Sequence, residues 1–107
     1  MTYPAGLDVD AMTFEALERC WQRATLRTTR IHCLSYIHQN PDEFAITNFE
    51  HDINLGHLRW TLDYPEDLEM VRRVFEALGP EGQYFGMSEI LSFLEANPEV
   101  AKLNTHL

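Results

Sequence analysis

The sequence predicts an α/β protein in which a few short strands are flanked by several helices. Residues 58–63 (LRWTLD) alternate apolar and polar side chains, which is the period of a half-buried strand. Apolar residues also recur at helical spacing after Thr13 and after Pro65. In order along the chain, the predicted elements are β-α-α-β-β-α-α-α. So few strands make a thin sheet for so many helices, and we therefore expect an uncovered sheet edge or an exposed helix face.

The start of the chain predicts a strand followed by a helix. Residues Leu7–Met12 alternate apolar and acidic side chains, which favours a strand. Thr13 suits the N-cap of a helix over Phe14–Ala24, and Glu15 places a negative charge in its first turn. The apolar residues of this predicted helix share one stripe: Phe14, Leu17, Cys20, Trp21 and Ala24.

A second helix and a second strand are predicted before residue 50. Thr28 or Thr29 can cap a helix that carries Ile31, Leu34 and Ile37. We expect this helix to end at Asn40, because the following proline disfavours helical geometry in the residue before it. Residues 44–49 (FAITNF) then predict a short strand, and residues 50–56 (EHDINLG) a polar loop.

The carboxyl-terminal half predicts three helices. Pro65 suits the first position of a helix, Glu66 and Asp67 place negative charge at its positive end, and Gly79-Pro80 ends it. Another helix is predicted near Met87–Ala96, and a short last helix after Asn97. The side chains predicted to face inward on these helices are Leu68, Val71, Phe75, Leu78, Ile90, Leu91, Leu94, Val100 and Leu103.

Charge and composition narrow the class of protein. Seventeen acidic residues against eight basic ones give a formal net charge of −9, and such a surface repels nucleic-acid phosphates and anionic lipid. We therefore expect neither a nucleic-acid nor a membrane partner. The 107 residues suit a single domain, no signal peptide opens the chain, and no apolar run is long enough to span a membrane. Cys20 and Cys33 fit reduced thiols on helices, and these features together favour a cytoplasmic protein.

Two aspartates are candidates for ligand binding. Asp63 follows a predicted strand and precedes a helix, which is where ligands gather in open α/β folds, and a carboxylate is a suitable ligand for Mg²⁺. The alternative is that Asp63 only complements the dipole of the next helix. Asp8 can point into a cleft, because Gly6 lets the backbone approach a ligand closely; the alternative is a plain turn before an edge strand.

Two arginines are candidates for anion binding. Arg59 lies on the same face of the predicted strand as Asp63, so its guanidinium can hold a phosphate or a sugar carboxylate. Arg30 is the second candidate. For either residue the alternative is a surface ion pair within an acidic chain. No glycine-rich phosphate loop of the GxGxxG or GxxxxGK[ST] type is present, which disfavours triphosphate binding by this chain alone.

The histidines and cysteines predict neither a zinc site nor a catalytic pair. The five histidines include no HExxH pair, and the two cysteines form no CxxC motif. We expect Cys20 and Cys33 to act as small apolar residues on helices.

Five segments together resemble one family. Residues 58–68 (LRWTLDYPEDL) are similar to an RWT-x-D-x-PEDL signature, and residues 3–10 (YPAGLDVD) to a YP-x-GLDVE segment. Residues 14–18 (FEALE), the pair Arg30 and His32, and residues 97–104 agree in order along the chain. The chain thus resembles the carboxyl-terminal half of the spore-coat polysaccharide cytidylyltransferases, relatives of CMP-KDO synthetase and the acylneuraminate cytidylyltransferases.

The resemblance implies a fold and a chemistry. The fold would be the C-terminal portion of a nucleotidyltransferase of the nucleotide-diphospho-sugar transferase type, with a mixed sheet. The intact family fold would take CTP, Mg²⁺ and an acidic or other sugar, whose oxygen attacks the α-phosphate of CTP as pyrophosphate leaves. By resemblance, Asp63 matches the metal-binding aspartate. Asp8, Arg30, His32 and Arg59 are then the substrate-binding candidates, and no residue is assigned a catalytic role.

The chain also departs from the family pattern. Arg30-Ile31-His32 stands where the family has Arg-Glu-His, and Cys33-Leu34-Ser35 stands where it has Val-Thr-Pro. The half of the family fold that carries the phosphate loop and the first metal aspartate is not represented. We therefore expect no pyrophosphate release by this chain alone, and we expect a homodimer or a separate amino-terminal half as partner. The alternative interpretation is a non-catalytic dimerisation or docking module. The sequence does not predict which sugar is used.

Overall fold

The computed structural model describes all 107 residues as short helices joined by extended and turning segments. Six α-helices follow in chain order: α1 Phe14–Arg23, α2 Arg27–Ile31, α3 Cys33–Gln39, α4 Pro65–Leu78, α5 Met87–Ala96 and α6 Pro98–Ala101. Two single 3-10 turns, Pro41–Glu43 and Pro80–Gly82, punctuate the chain. No helix is long and apolar enough to cross a bilayer.

The predicted α/β mixed-sheet fold is wrong, because the chain forms no sheet. Its one β-type pairing is an isolated parallel bridge between Ala5 and Arg59. The segments 7–12 and 44–49 have no regular secondary structure and pair with no strand. Alternating side chains favour an extended backbone, but a strand also needs a neighbouring backbone to accept and donate its hydrogen bonds. Residues 58–63 also break the predicted alternation, since Leu62 is exposed and the hydroxyl of Thr61 is buried.

Capping residues and prolines in the sequence predicted most helix ends correctly. The Thr13 hydroxyl caps α1 by accepting from the backbone N–H of Ala16 at 3.1 Å. Pro65 occupies the first turn of α4, which ends before Gly79 as predicted. The second predicted helix is instead two short ones, because His32 leaves helical geometry (φ −115°, ψ 80°) between α2 and α3.

The chain divides into two compact units. The terminal unit comprises residues Met1–Asp8 and Glu50–Leu107, and the middle unit comprises Val9–Phe49.

The terminal unit holds the larger hydrophobic core. The buried residues of that core are Met70, Val74, Leu94 and Val100. Val71, Leu78 and Ile90 pack against them, as predicted. Leu68 and Phe75 are exposed, so the prediction that these two residues of α4 face inward was wrong. The buried stripe of α4 begins at Asp67 and runs through Met70 and Val74, at helical spacing.

The middle unit buries little apolar surface. Its buried apolar side chains are Cys20, Ala24 and Ile37. Of the predicted α1 stripe, Phe14, Leu17 and Trp21 are exposed. Both cysteines are free: Cys20 is buried on α1, and burial raises the pKa of its thiol, while Cys33 is half-buried at the start of α3.

Candidate functional site at the start of α4

A fully buried carboxylate organises the junction before α4. Asp67 is inaccessible to solvent and stands at the third position of the helix, where its side chain can reach back to the preceding turn. Its Oδ2 accepts hydrogen bonds from the backbone N–H groups of Asp63 and Tyr64, at 3.0 Å each. The carboxylate therefore fixes the turn that leads from the extended segment into α4.

Arg59 binds the same carboxylate from the extended segment. Its Nε donates to Oδ1 of Asp67 and its Nη2 to Oδ2, both at 2.9 Å, which is the two-pronged geometry that suits a guanidinium and a carboxylate. Nη2 also donates to Oδ2 of Asp63 at 2.9 Å. The ring of Tyr64 lies 5.5 Å from the guanidinium carbon. Nη1 of Arg59 makes no hydrogen bond.

Asn104 closes the cluster from the carboxyl terminus. Its buried amide donates to Oδ1 of Asp67 at 2.8 Å and to the backbone carbonyl of Arg59 at 2.9 Å. Asp67 thus accepts five hydrogen bonds in all. We call Arg59, Asp67 and Asn104 the triad; Asp67 and Asn104 are buried, and Arg59 is half-buried.

The electrostatics of the triad follow from these contacts. The Arg59 guanidinium holds the pKa of the Asp67 carboxyl well below its usual range, against the opposing effect of burial. Asn104 and the two backbone amides lower that pKa further. Hydrogen bonding to Asp67 raises the pKa of Arg59 in return. Asp67 therefore stays ionised, and with its oxygens saturated it is a positioning group rather than a base or a metal ligand.

Gly6 brings the amino-terminal segment against the triad. The backbone N–H of Ala5 donates to the carbonyl of Leu58 at 2.9 Å, and that of Trp60 donates to the carbonyl of Ala5 at 2.7 Å. Gly6 follows with φ +109°, and a Cβ at this position would lie 2.7 Å from the Trp60 carbonyl carbon and oxygen. Only glycine fits this conformation and this close approach.

Asp63 is the exposed member of the site. Its side chain is 63% accessible, and its Oδ2 accepts from Arg59 while Oδ1 has no protein partner. No group of three or more histidine, cysteine, aspartate or glutamate side chains is arranged to hold a metal ion. The residues present do not form a Mg²⁺ site by themselves, since Mg²⁺ requires near-octahedral oxygen coordination and Asp63 offers one free oxygen.

The other predicted site residues lie apart from this cluster. Asp8 accepts from the backbone N–H of Gly6 at 3.2 Å, which makes it part of the turn. Arg30 lies in the middle unit, where its Nη1 donates to the carbonyls of Trp21 and Ala24. His32 marks the break between α2 and α3 in the same unit. Of the predicted residues, the structure brings Arg59 and Asp63 together.

Sequence reasoning missed Asp67 and Asn104 as site residues. Asp67 was assigned only to the helix dipole, yet it stands on the buried stripe of α4, three residues before Met70 and seven before Val74. A carboxylate at the head of an apolar helical stripe needs a cationic partner, and Arg59 is the nearest arginine on the amino-terminal side of Asp67. Asn104 carries no such signal, because its contacts span 37 and 45 residues of sequence.

Comparison with known proteins gives one relative. The chain is 27% identical over 107 residues to the protein of Methanocaldococcus jannaschii called uncharacterized protein MJ1063, a match that covers 95% of this chain and 42% of the relative. The chain thus spans less than half the length of that relative, whose name states no activity. No protein-family model matches the chain, and no solved structure matches it.

Proposed function

We propose that this chain takes part in the CTP-dependent activation of a sugar for surface or spore-coat polysaccharide in the cytoplasm, as a component that is inactive without a partner. In this proposal a partner supplies the phosphate loop and the nucleotide-binding residues. The observation that carries the proposal is the pair of free groups at the head of α4. Nη1 of Arg59 and Oδ1 of Asp63 are the unoccupied positions of an otherwise saturated cluster.

These two groups have complementary uses. A guanidinium N–H held by a buried carboxylate is a fixed donor for a phosphate or carboxylate oxygen. A free carboxylate oxygen beside it can take one coordination position of a Mg²⁺ ion that phosphates also bind. The other metal ligands would come from the partner and the nucleotide, because this chain has no cluster of ligating side chains.

The convergence of two sequence segments supports the same proposal. Two segments that resemble the cytidylyltransferases, residues 3–10 and 58–68, lie far apart in sequence. They meet through the Ala5–Arg59 bridge and the close approach of Gly6 to Trp60. The most restrictive residue in this contact, Gly6, belongs to one of the segments.

We expect no activity from the chain alone. Asp67 is buried and its oxygens are occupied, so Asp63 is the one exposed carboxylate that pairs with Arg59. The chain also has no glycine-rich phosphate loop.

The proposal is tested on the complex isolated from the cells that encode the chain. Tagged wild-type chain and Asp63→Asn are purified with their bound partner and assayed for pyrophosphate release from CTP with Mg²⁺ and a panel of acidic sugars. We expect release by the wild-type complex, a much lower rate for Asp63→Asn with the same partner recovered, and none by the chain alone. Asp52→Asn, an exposed aspartate outside the cluster, is the control. Equal rates for Asp63→Asn and wild type, or release by the chain alone, would contradict the proposal.

A further inference from the structure

An apolar stripe on α1 lies open to solvent. Phe14 is 77% exposed, Leu17 is 42% exposed and Trp21 is 67% exposed. These residues are three and four positions apart, so they share one face of the ten-residue helix. The buried Cys20 and Ala24 hold the neighbouring face of α1 inside the middle unit. Large aromatic side chains that converge on one exposed face are typical of an interface core.

The charges around this stripe are segregated along the helix. Glu18 stands beside the stripe in the first half of α1, is exposed and makes no ion pair or hydrogen bond. Arg30 lies at the opposite end, where its Nη1 donates to the Trp21 and Ala24 carbonyls at 3.1 and 2.8 Å. Both bonds use the same nitrogen, so the rest of the guanidinium can still bind a carboxylate.

This distribution of charge is self-complementary. Turning a second copy by a half-turn about an axis across the middle of α1 sets the two helices antiparallel. Leu17 of each copy then faces Trp21 of the other, and Glu18 of each copy approaches the Arg30 end of the other. The helix dipoles also oppose each other favourably in this arrangement. A symmetric pair of this kind repeats each favourable contact twice.

The net charge of each unit favours the same face. The middle unit carries five acidic and four basic residues, a net charge of −1, whereas the terminal unit carries twelve acidic and four basic residues, a net charge of −8. Two copies that meet through the terminal unit would repel each other more strongly than two that meet through α1.

We propose that two copies of this chain pair through α1 in an antiparallel two-fold dimer that buries Phe14, Leu17 and Trp21 and joins Glu18 of each copy to Arg30 of the other. This dimer does not depend on the proposed role in sugar activation, because it uses the middle unit and none of the triad residues.

The apolar contact is tested by sedimentation velocity across the micromolar range. We expect the wild type to dimerise, and Trp21→Lys to weaken the dimer by at least roughly 30-fold, the effect of losing an interface hot spot. Lysine suits the last turn of α1, so the variant should keep its helix. Tyr84→Lys, which changes a fully exposed aromatic residue of the terminal unit, is the control and should dimerise as the wild type does. A wild type that stays monomeric, or a dimer that survives Trp21→Lys, overturns the proposal.

The register is tested by exchanging charges. Glu18→Arg alone places two arginines together in each contact, and Arg30→Glu alone places two glutamates together, so each variant by itself should dimerise more weakly than the wild type. An equimolar mixture of the two variants restores an opposite-charge pair at both contacts, and we expect a heterodimer to form. Circular dichroism on each variant checks that the helices remain. Failure of the mixture to associate more tightly than either variant overturns the assigned register.

Discussion

Each unit holds a carboxylate bound by arginine, and the two carboxylates differ in their access to water. Asp67 in the terminal unit is fully buried and accepts five hydrogen bonds. Glu43 in the middle unit accepts hydrogen bonds from Arg23 and, at 2.8 Å, from the Tyr36 hydroxyl. Its side chain is 29% accessible to solvent. Hydrogen bonding lowers the pKa of both carboxyls, from Arg59 in one case and from Tyr36 in the other. The same kind of pair is therefore a buried anchor in one unit and a solvated contact in the other.

The units also differ in how many apolar side chains they bury. The terminal unit builds a core of four buried side chains with eight others packed around it. The middle unit buries Cys20, Ala24 and Ile37 and leaves the larger Phe14 and Trp21 exposed. A region that cannot bury its large apolar residues within itself must expose them or cover them with another chain. This difference places most of the buried apolar core in the terminal unit, and the exposed stripe of α1 is the surface on which the proposed pairing rests.

Replacing the buried carboxylate should give the largest effect. Asp67→Asn removes the buried charge that Arg59 and two backbone amides bind, and it leaves the half-buried guanidinium of Arg59 with the exposed Asp63 as its remaining charged partner. We expect the melting temperature, followed by circular dichroism, to fall by roughly 10–20 °C. Glu43→Gln is the matched control and should lower it by only about 1–5 °C, since that ion pair is solvated. Equal losses in the two variants would show that burial does not separate the two sites.

Acid should weaken the terminal unit through the same residue. A carboxyl whose pKa is lower in the folded than in the unfolded chain adds stability above its unfolded pKa, near 4, and that stability is lost as the pH falls. We expect the melting temperature of the wild type to drop between about pH 5 and pH 2. Asp67→Asn should show a clearly flatter pH dependence, whereas Glu43→Gln should change the slope less. A slope unchanged by Asp67→Asn would assign the acid sensitivity to other carboxylates.

The close approach of the amino-terminal segment can be tested at Gly6. Gly6→Ala forces a Cβ into the Trp60 backbone at a positive φ, and we expect a loss of about 1–3 kcal/mol in the free energy of unfolding, or more where the backbone cannot shift. Gly82→Ala is the control, because Gly82 also has a positive φ (+74°) but nothing within 4 Å of the added carbon. The difference between the two losses, from urea denaturation, measures the contact itself. Equal losses would leave only the backbone conformation as the cause.

The smallest effect is expected at the cap of α1. Thr13→Ala removes the hydroxyl that accepts from Ala16, and such caps contribute about 1 kcal/mol. Thr28→Ala changes an exposed threonine within α2 and should be near neutral. Amide hydrogen exchange is the sharper measurement here, because it should rise in α1 of Thr13→Ala while α4 keeps its protection. Faster exchange in both helices would mean that the two units do not open independently.

Several helix ends follow from residues whose local effects can be recognised in the sequence. The hydroxyl of Thr13, the proline at position 65 and the glycine at position 79 fix the ends of α1 and α4, because caps and stops act within one helical turn. The inward faces of α5 and α6 were also predicted correctly at Leu94 and Val100. The face of α4 was not, since Leu68 and Phe75 are as apolar as the residues that are buried, and periodicity alone did not choose between neighbouring stripes.

What the sequence by itself determined about this protein is the ends of α1 and α4, its acidic charge and the proximity of Arg59 to Asp63. What only the tertiary structure decided is whether the alternating segments pair, which carboxylate is buried and which apolar stripe stays exposed. The reason is the distance along the sequence over which each interaction acts. Capping and helical periodicity act over three or four residues, whereas a strand needs a partner backbone and Asp67 needs Asn104, 37 residues further along the chain. Contacts of that range are set by packing the whole unit, and so the extended segments remain unpaired while the carboxylate at the head of α4 became its anchor.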